Sequence, residues 1–112
     1  MKIAVPVSGQ QIAEHFGQCR EFYIYSADTE TKEIMEELQR SAPPHEPGIL
    51  PSWLADHGVD TVIASGMGKR AQQLFSAYGI TVVTGAVSSE PRQAVDEYLK
   101  DHLKTGSNQC TH

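Results

Sequence analysis

Five histidines and two cysteines are the side chains of this sequence with the widest chemical reach, and they are unevenly placed. His15 and Cys19 share one stretch, SGQQIAEHFGQCR (8–20), which has no sustained hydrophobic period. His45 stands in SAPPHEPG (41–48), where three prolines restrict the backbone to a stiff, extended loop. Cys110 and His112 close the chain as Cys-x-His. Imidazole nitrogen and thiolate sulfur together suit zinc, iron, copper or a metal–sulfur cluster. No pair has the closed spacing of a zinc finger. Taken singly, a histidine is more often a surface or hydrogen-bonding residue than a ligand, and His57 and His102 read as ordinary helix residues.

A second chemical feature is the turn Ser65-Gly66-Met67-Gly68. It follows the apolar run Val62, Ile63, Ala64, which suits a strand buried on both faces of a parallel sheet. It precedes Ala71, Leu74, Phe75 and Tyr78, which recur at helical spacing, with Gly79 as the stop. Strand, glycine turn and helix make the first half of a βαβ unit whose second strand is Ile80–Val83. The two glycines let the backbone change direction sharply and approach a bound group, while the helix start at Lys69 presents N–H groups suited to an anion. Gly66, Gly68 and Ala71 match G-x-G-x-x-A, but the next strand ends in Thr84-Gly85 and not in the acidic residue a dinucleotide ribose requires. P-loop spacing is absent. A packing role and an anion-facing role for the glycines remain equally open.

The elements that must position these residues can be read in order. Ile3–Val7 is an apolar strand, with Pro6 an oddity in a central position because it removes a ladder donor. Glu21–Ser26 has apolar character on both faces, and Glu33–Leu38 is a weaker strand whose charges suit a sheet edge. Ile49–His57 is a short helix with Pro51 in its first turn and Gly58 as its stop. The last helix takes Ser88 or Ser89 as N-cap, has Pro91 in its first turn, buries Ala94, Val95, Tyr98, Leu99 and Leu103, and ends at Gly106. The order predicts a three-layer α/β domain over residues 1–104, a five-stranded mixed sheet with the second strand antiparallel and helices on both faces, followed by a polar tail, 105–112. Such a topology brings the loops at 8–20, 39–48, 65–68 and 84–89 to one edge of the sheet, where open α/β sheets bind ligands. His15, Cys19, His45 and the glycine turn therefore share a rim. The tail starts at the opposite end, and about eight extended residues span at most roughly 26–29 Å. Cys110 and His112 either run back along their own domain or meet the site of a second protomer, which makes a homodimer an expectation.

Composition narrows the function classes. The 112 residues allow one core, and nine basic against fourteen acidic residues give a net charge of −5. No Lys/Arg cluster offers the phosphate-neutralising surface of a nucleic-acid binder. No apolar run is long enough to cross a bilayer, and MKIAVPV leads directly into a strand pattern, so a cytoplasmic protein whose cysteines are free thiols or metal ligands is expected.

Three features occur together: Glu14-His15-Phe16-Gly17 after MKIAVPVSG, the helix entry VIASGMGKRAQQLF, and the exit from Gly79-Ile80-Thr81-Val82-Val83 to Gly85-Ala86. In this combination the chain resembles the dinitrogenase iron–molybdenum cofactor biosynthesis family over roughly residues 1–104. The resemblance implies a ribonuclease H-like α/β fold and a carrier of iron–sulfur or molybdenum-containing clusters or their precursors, exchanging cargo with donor or acceptor proteins and not turning over a substrate. His15 matches the family's HFG histidine and is the leading ligand carried over. His45, Cys110 and His112 match only a subset, and Cys19 has no counterpart. Phe16, Gly17, Gly66, Met67, Gly68 and Lys69 would frame the cargo, with Lys69 or Arg70 offsetting its charge. The carboxylate cluster of ribonuclease H is missing, with Ser8 where an acid would be expected, so no nuclease activity is inferred. Two other readings stand beside the carrier: a regulatory interaction module without metal, and a small enzyme using a phosphate or nucleotide at the glycine turn, with His15 or His45 as its base.

Overall fold

The computed structural model describes residues 1–43, 49–87, 90–101 and 103. Its centre is a pair of strands that are apolar on both faces. In β1 (Lys2–Ser8), Ile3, Val5 and Val7 point to one side of the sheet and Ala4 to the other. In β3 (Glu21–Asp28), Tyr23 and Tyr25 join the first set, while Phe22 and Ile24 join the second. A period of two with both phases apolar requires cover on both faces. Helices α1 (Ile49–Asp56) and α2 (Lys69–Ala77) supply it on one side through Leu50, Leu54 and Phe75. Helix α3 (Pro91–Leu99) supplies it on the other through Ala94, Val95 and Leu99. The result is the expected three-layer α/β arrangement.

The sheet runs β4-β3-β1-β5-β6. Strand β3 is antiparallel to both β1 and β4 (Glu33–Ser41), while β1, β5 (Thr61–Ile63) and β6 (Thr81–Val83) are parallel. The five expected strands are present with the second antiparallel, and β4, with its glutamates, is an edge. A sixth strand was not expected. Gly9 (φ 63) and Gln10 (φ 69) form a two-residue reversal that folds β2 (Gln11–Ile12) back onto the end of β1, with Val7 opposite Ile12. Two consecutive residues at positive φ give the twist of a tight hairpin, but a glutamine in the second place hides the signal.

Pro6 is accommodated by a change of partner. Its carbonyl accepts from the Ala13 N–H at 2.9 Å, whereas the next carbonyl, Val7, accepts from Arg20 on the β3 side. The missing N–H of Pro6 therefore lies on the side facing β5 and β2. There the β1–β5 ladder stops at Ala4↔Val62, so the bond that Pro6 cannot give is the one that would extend it.

Two helices differ from the sequence pattern. In α2 only Phe75 is fully buried and Tyr78 is 50% exposed, because the helix covers a narrow edge of the sheet. Gly79 does end it, at φ +74. Helix α3 has Glu90 as N-cap with no side-chain cap bond, and Pro91 opens it. It stops at Leu99, with Asp101 in the left-handed region at φ 59, well short of the expected stop at Gly106. Ser88, Ser89 and Gly106 lie outside the described residues, as does the tail from 104. No helix among the described residues is long and apolar enough to cross a membrane.

Phe75 is wholly buried and meets Phe16 edge-to-face, with ring centroids 5.4 Å apart at 82°. Truncating a buried aromatic removes transfer energy and leaves a cavity. Phe75→Ala is expected to lower the unfolding free energy by about 3–5 kcal/mol. Gln73→Ala, on the exposed face of the same helix, is expected to stay within about 0.5 kcal/mol. Urea titrations followed by circular dichroism check both values.

Candidate functional site

The rim of the sheet is assembled mainly by backbone. At the carboxyl ends of β1, β4, β5 and β6, main-chain bonds join loops that are distant in sequence. The Arg20 N–H donates to Val7 O at 3.0 Å and the Ala42 N–H to Arg20 O at 2.9 Å. The Phe16 N–H donates to Gly66 O at 2.8 Å, and the Gly85 N–H to Ser65 O at 2.7 Å. After β1 the chain leaves toward β2 and β3, whereas after β5 it leaves toward α2 and β6. The connections diverge at the β1/β5 seam, the place where open α/β sheets form a crevice. The Phe16–Gly66 bond spans that seam.

Phe16 opens a 3-10 turn, Phe16–Gln18, with extended His15 (φ −125, ψ 127) before it. Its ring is buried against Phe22 (centroids 5.9 Å) and Phe75. This apolar anchor and the bond to Gly66 hold His15, half-buried, one residue from the glycine turn. Gly17 is exposed beside it.

Across the seam, Gly66 is buried and Gly68 is the N-cap of α2 at φ −68, ψ 157, without a side-chain cap. Neither Gly66 nor Gly68 has positive φ, so a left-handed torsion is not what glycine supplies here. The first helical bond runs from the Gln72 N–H to Gly68 O at 3.1 Å, and Gln72 Nε2 donates to Met67 O at 2.9 Å. An uncapped helix start carries partial positive charge, and the exposed Lys69 and Arg70 follow at once.

Two residues named from sequence turn inward. Met67 is fully buried in the core cluster under α1 and α2, so only its backbone belongs to the turn. Cys19 is 3% exposed in the same cluster, and burial pushes its thiol up to about 12 from 9.0. A thiol in that state is neutral and faces core, not rim. His45, Cys110 and His112 lie outside the described residues. Among the described residues no three His, Cys, Asp or Glu side chains gather closely enough to share a metal ion. The described part of the rim therefore offers one imidazole, main-chain N–H groups and two cationic side chains, and no closed coordination cage.

Arg20 was not singled out from sequence. It lines a cleft of about 520 Å³ with Ser8, Gln11, Ile12, Ala13 and Glu14, on the β1 side of the rim. The available signal was its place as the last residue of a long loop before a strand, where loop residues of α/β sheets face ligands.

The buried thiol carries a pH dependence. Between pH 9 and about 12 the unfolded chain releases the Cys19 proton that the folded chain retains, so stability falls as pH rises through that range. Tyr25, raised from 10.0 by burial and then by the Glu37 charge, acts in the same direction. Urea midpoints are expected to drop from pH 8 to pH 10.5, and Cys19→Ala to make the drop shallower. In a Cys110→Ser chain the remaining thiol is expected to react with a thiol reagent slowly when folded and fast in denaturant.

Comparison with known proteins agrees with this architecture. An uncharacterised protein of Methanocaldococcus jannaschii is 30% identical over 107 residues, covering 93% of this chain and 86% of that one. The crystal structure of PH0822 superposes with a TM-score of 0.85 at 28% identity, covering 94% of each chain. The apo form of the orange protein from Desulfovibrio gigas superposes with a TM-score of 0.70 at 23% identity, covering 96% of this chain and 93% of that one, a likeness of fold. The family model described as dinitrogenase iron-molybdenum cofactor matches residues 1–101. By that match the chain belongs to the dinitrogenase iron-molybdenum cofactor family.

Proposed function

We propose that this protein binds an iron–sulfur or molybdenum-containing cluster, or its precursor, at the rim and carries it between donor and acceptor proteins without chemical turnover. The observation that carries the reading is the Phe16–Gly66 bond, which sets the HFG histidine against a glycine turn and an uncapped helix start across the β1/β5 seam. Membership of a family described by the iron-molybdenum cofactor supports a cargo of that chemical class. Such clusters are anionic when bound by sulfide or thiolate, and main-chain N–H groups at a helix start attract negative charge without a permanent bond. His15 supplies one exchangeable nitrogen donor. His45 from the proline loop, and Cys110 and His112 from the tail, are proposed as further ligands. Cys19 can join them only by leaving the core and losing a proton that burial holds. Few strong ligands favour release, because a carrier must give up what it binds.

The test is anaerobic reconstitution with iron, molybdate and sulfide, followed by metal and sulfide analysis and visible absorption spectra. The wild type is expected to retain a coloured species. His15→Ala is expected to weaken retention about tenfold or more, a loss of ~1.4 kcal/mol. His45→Ala and a chain ending before Cys110 are expected to show smaller losses. Equal retention by all four chains, or none by the wild type, would sink the proposal.

A further inference from the structure

The two edges of the sheet are defended very differently. Edge β4 is nine residues long, carries Glu33, Glu36 and Glu37, and has Met35 as an extra residue at a register shift against Ser26/Ala27. Acidic side chains and an irregular ladder are what keep an edge strand from pairing with a copy of itself. Edge β6 has neither device. Its sequence, Thr81-Val82-Val83, is β-branched and uncharged, with no proline or bulge.

The backbone of β6 is also available. Thr81 N–H donates to Asp60 O at 2.9 Å and Val83 O accepts from the Ala64 N–H at 2.8 Å, so both residues face β5. In a parallel ladder the residue between them turns its N–H and C=O the other way. Among the described residues no strand pairs with that side of β6. Alongside runs a groove of about 540 Å³ between Gln72, Gln73 and Ser76 of α2 and residues 79–82. Although 21% of the sequence is charged, none of the groove's lining residues is. Next in sequence to Gly79 of the groove is Tyr78, 50% exposed, an amphipathic ring of the kind enriched at interfaces.

We propose that β6 is the docking edge for a second copy of this chain, paired antiparallel about a two-fold axis at Val82. Each Val82 N–H then donates to the C=O of the partner's Val82, and the five-strand path becomes a continuous ten-strand sheet. Self-pairing is favoured over a charged partner because the two-fold sets neutral residues against the same neutral residues, whereas β4 would oppose its own glutamates. The two rims point in opposite directions, so each stays open. Three-residue edges with a shallow groove cover less than the ~1,200 Å² of a stable complex, which places the association in the weak, concentration-dependent class.

Sedimentation equilibrium of the full chain is expected to show the average mass rising toward twice that of one chain between about 1 µM and 1 mM. The Val82 amide is expected to gain protection from hydrogen exchange over the same range. Thr81→Lys, which sets an exposed cation at the edge, is expected to leave the far-UV spectrum and melting temperature unchanged and to shift dimerisation at least tenfold higher in concentration. Met35→Lys, at the other edge, is expected to change nothing. The proposal is overturned by a wild type that stays monomeric at about 1 mM, by dimerisation that survives Thr81→Lys or is lost in Met35→Lys, or by Val82 protection independent of concentration, which would mean the chain covers its own edge.

Discussion

A single main-chain hydrogen bond, from the Phe16 N–H to the Gly66 carbonyl, ties together the two loops from which the candidate site is built. It joins two connections that leave the sheet in opposite directions, and it works because both sides are fixed by packing. Phe16 is wedged between Phe22 and Phe75, and Gly66 follows fully buried Val62–Ala64. A backbone bond in a sheltered place is stronger for its low-dielectric surroundings, and breaking it would strand a polar group. His15 and the start of α2 are therefore positioned by the hydrophobic core. The site inherits its geometry from the same side chains that stabilise the fold.

That core is divided by the sheet into two clusters that share no side chains. One holds Phe16, Phe22, Phe75, Met67 and Cys19; the other holds the two tyrosines of β3, the odd-numbered residues of β1 and α3. The candidate site belongs to the first. Disturbance on the α3 side reaches it only through the strands, whereas a change at Phe75 touches it directly. Cys19 illustrates the cost of that arrangement: a thiol chemically suited to metal is used as a small apolar residue, and burial keeps it protonated.

Much of this was legible from sequence because the signals were periodic. The alternation in β1 and β3, the apolar run before the glycine turn and the charges of β4 each lead to the observed element. Topology then followed from order alone, and with it the sharing of one rim by His15 and the glycine turn. The missed features are those set by tertiary context. Tyr78 has helical spacing but overhangs the narrow β5–β6 side of the sheet, and Cys19 has ligand chemistry but a core address. The β2 hairpin depends on Gln10 at φ 69, a torsion that glutamine does not advertise. Arg20 became visible only when the loop closed around it.

Pro6 has a wider meaning than tolerance of an imino acid. By ending the β1–β5 zipper early, it lets two neighbouring strands part company toward the carboxyl end, and the divergence is written into covalent structure instead of depending on a weak contact. A sheet knitted shut along its whole length would gain ladder bonds and lose the place where β2 folds back onto β1. Here the parting is a permanent architectural commitment, made by the one residue type that has no N–H to close it.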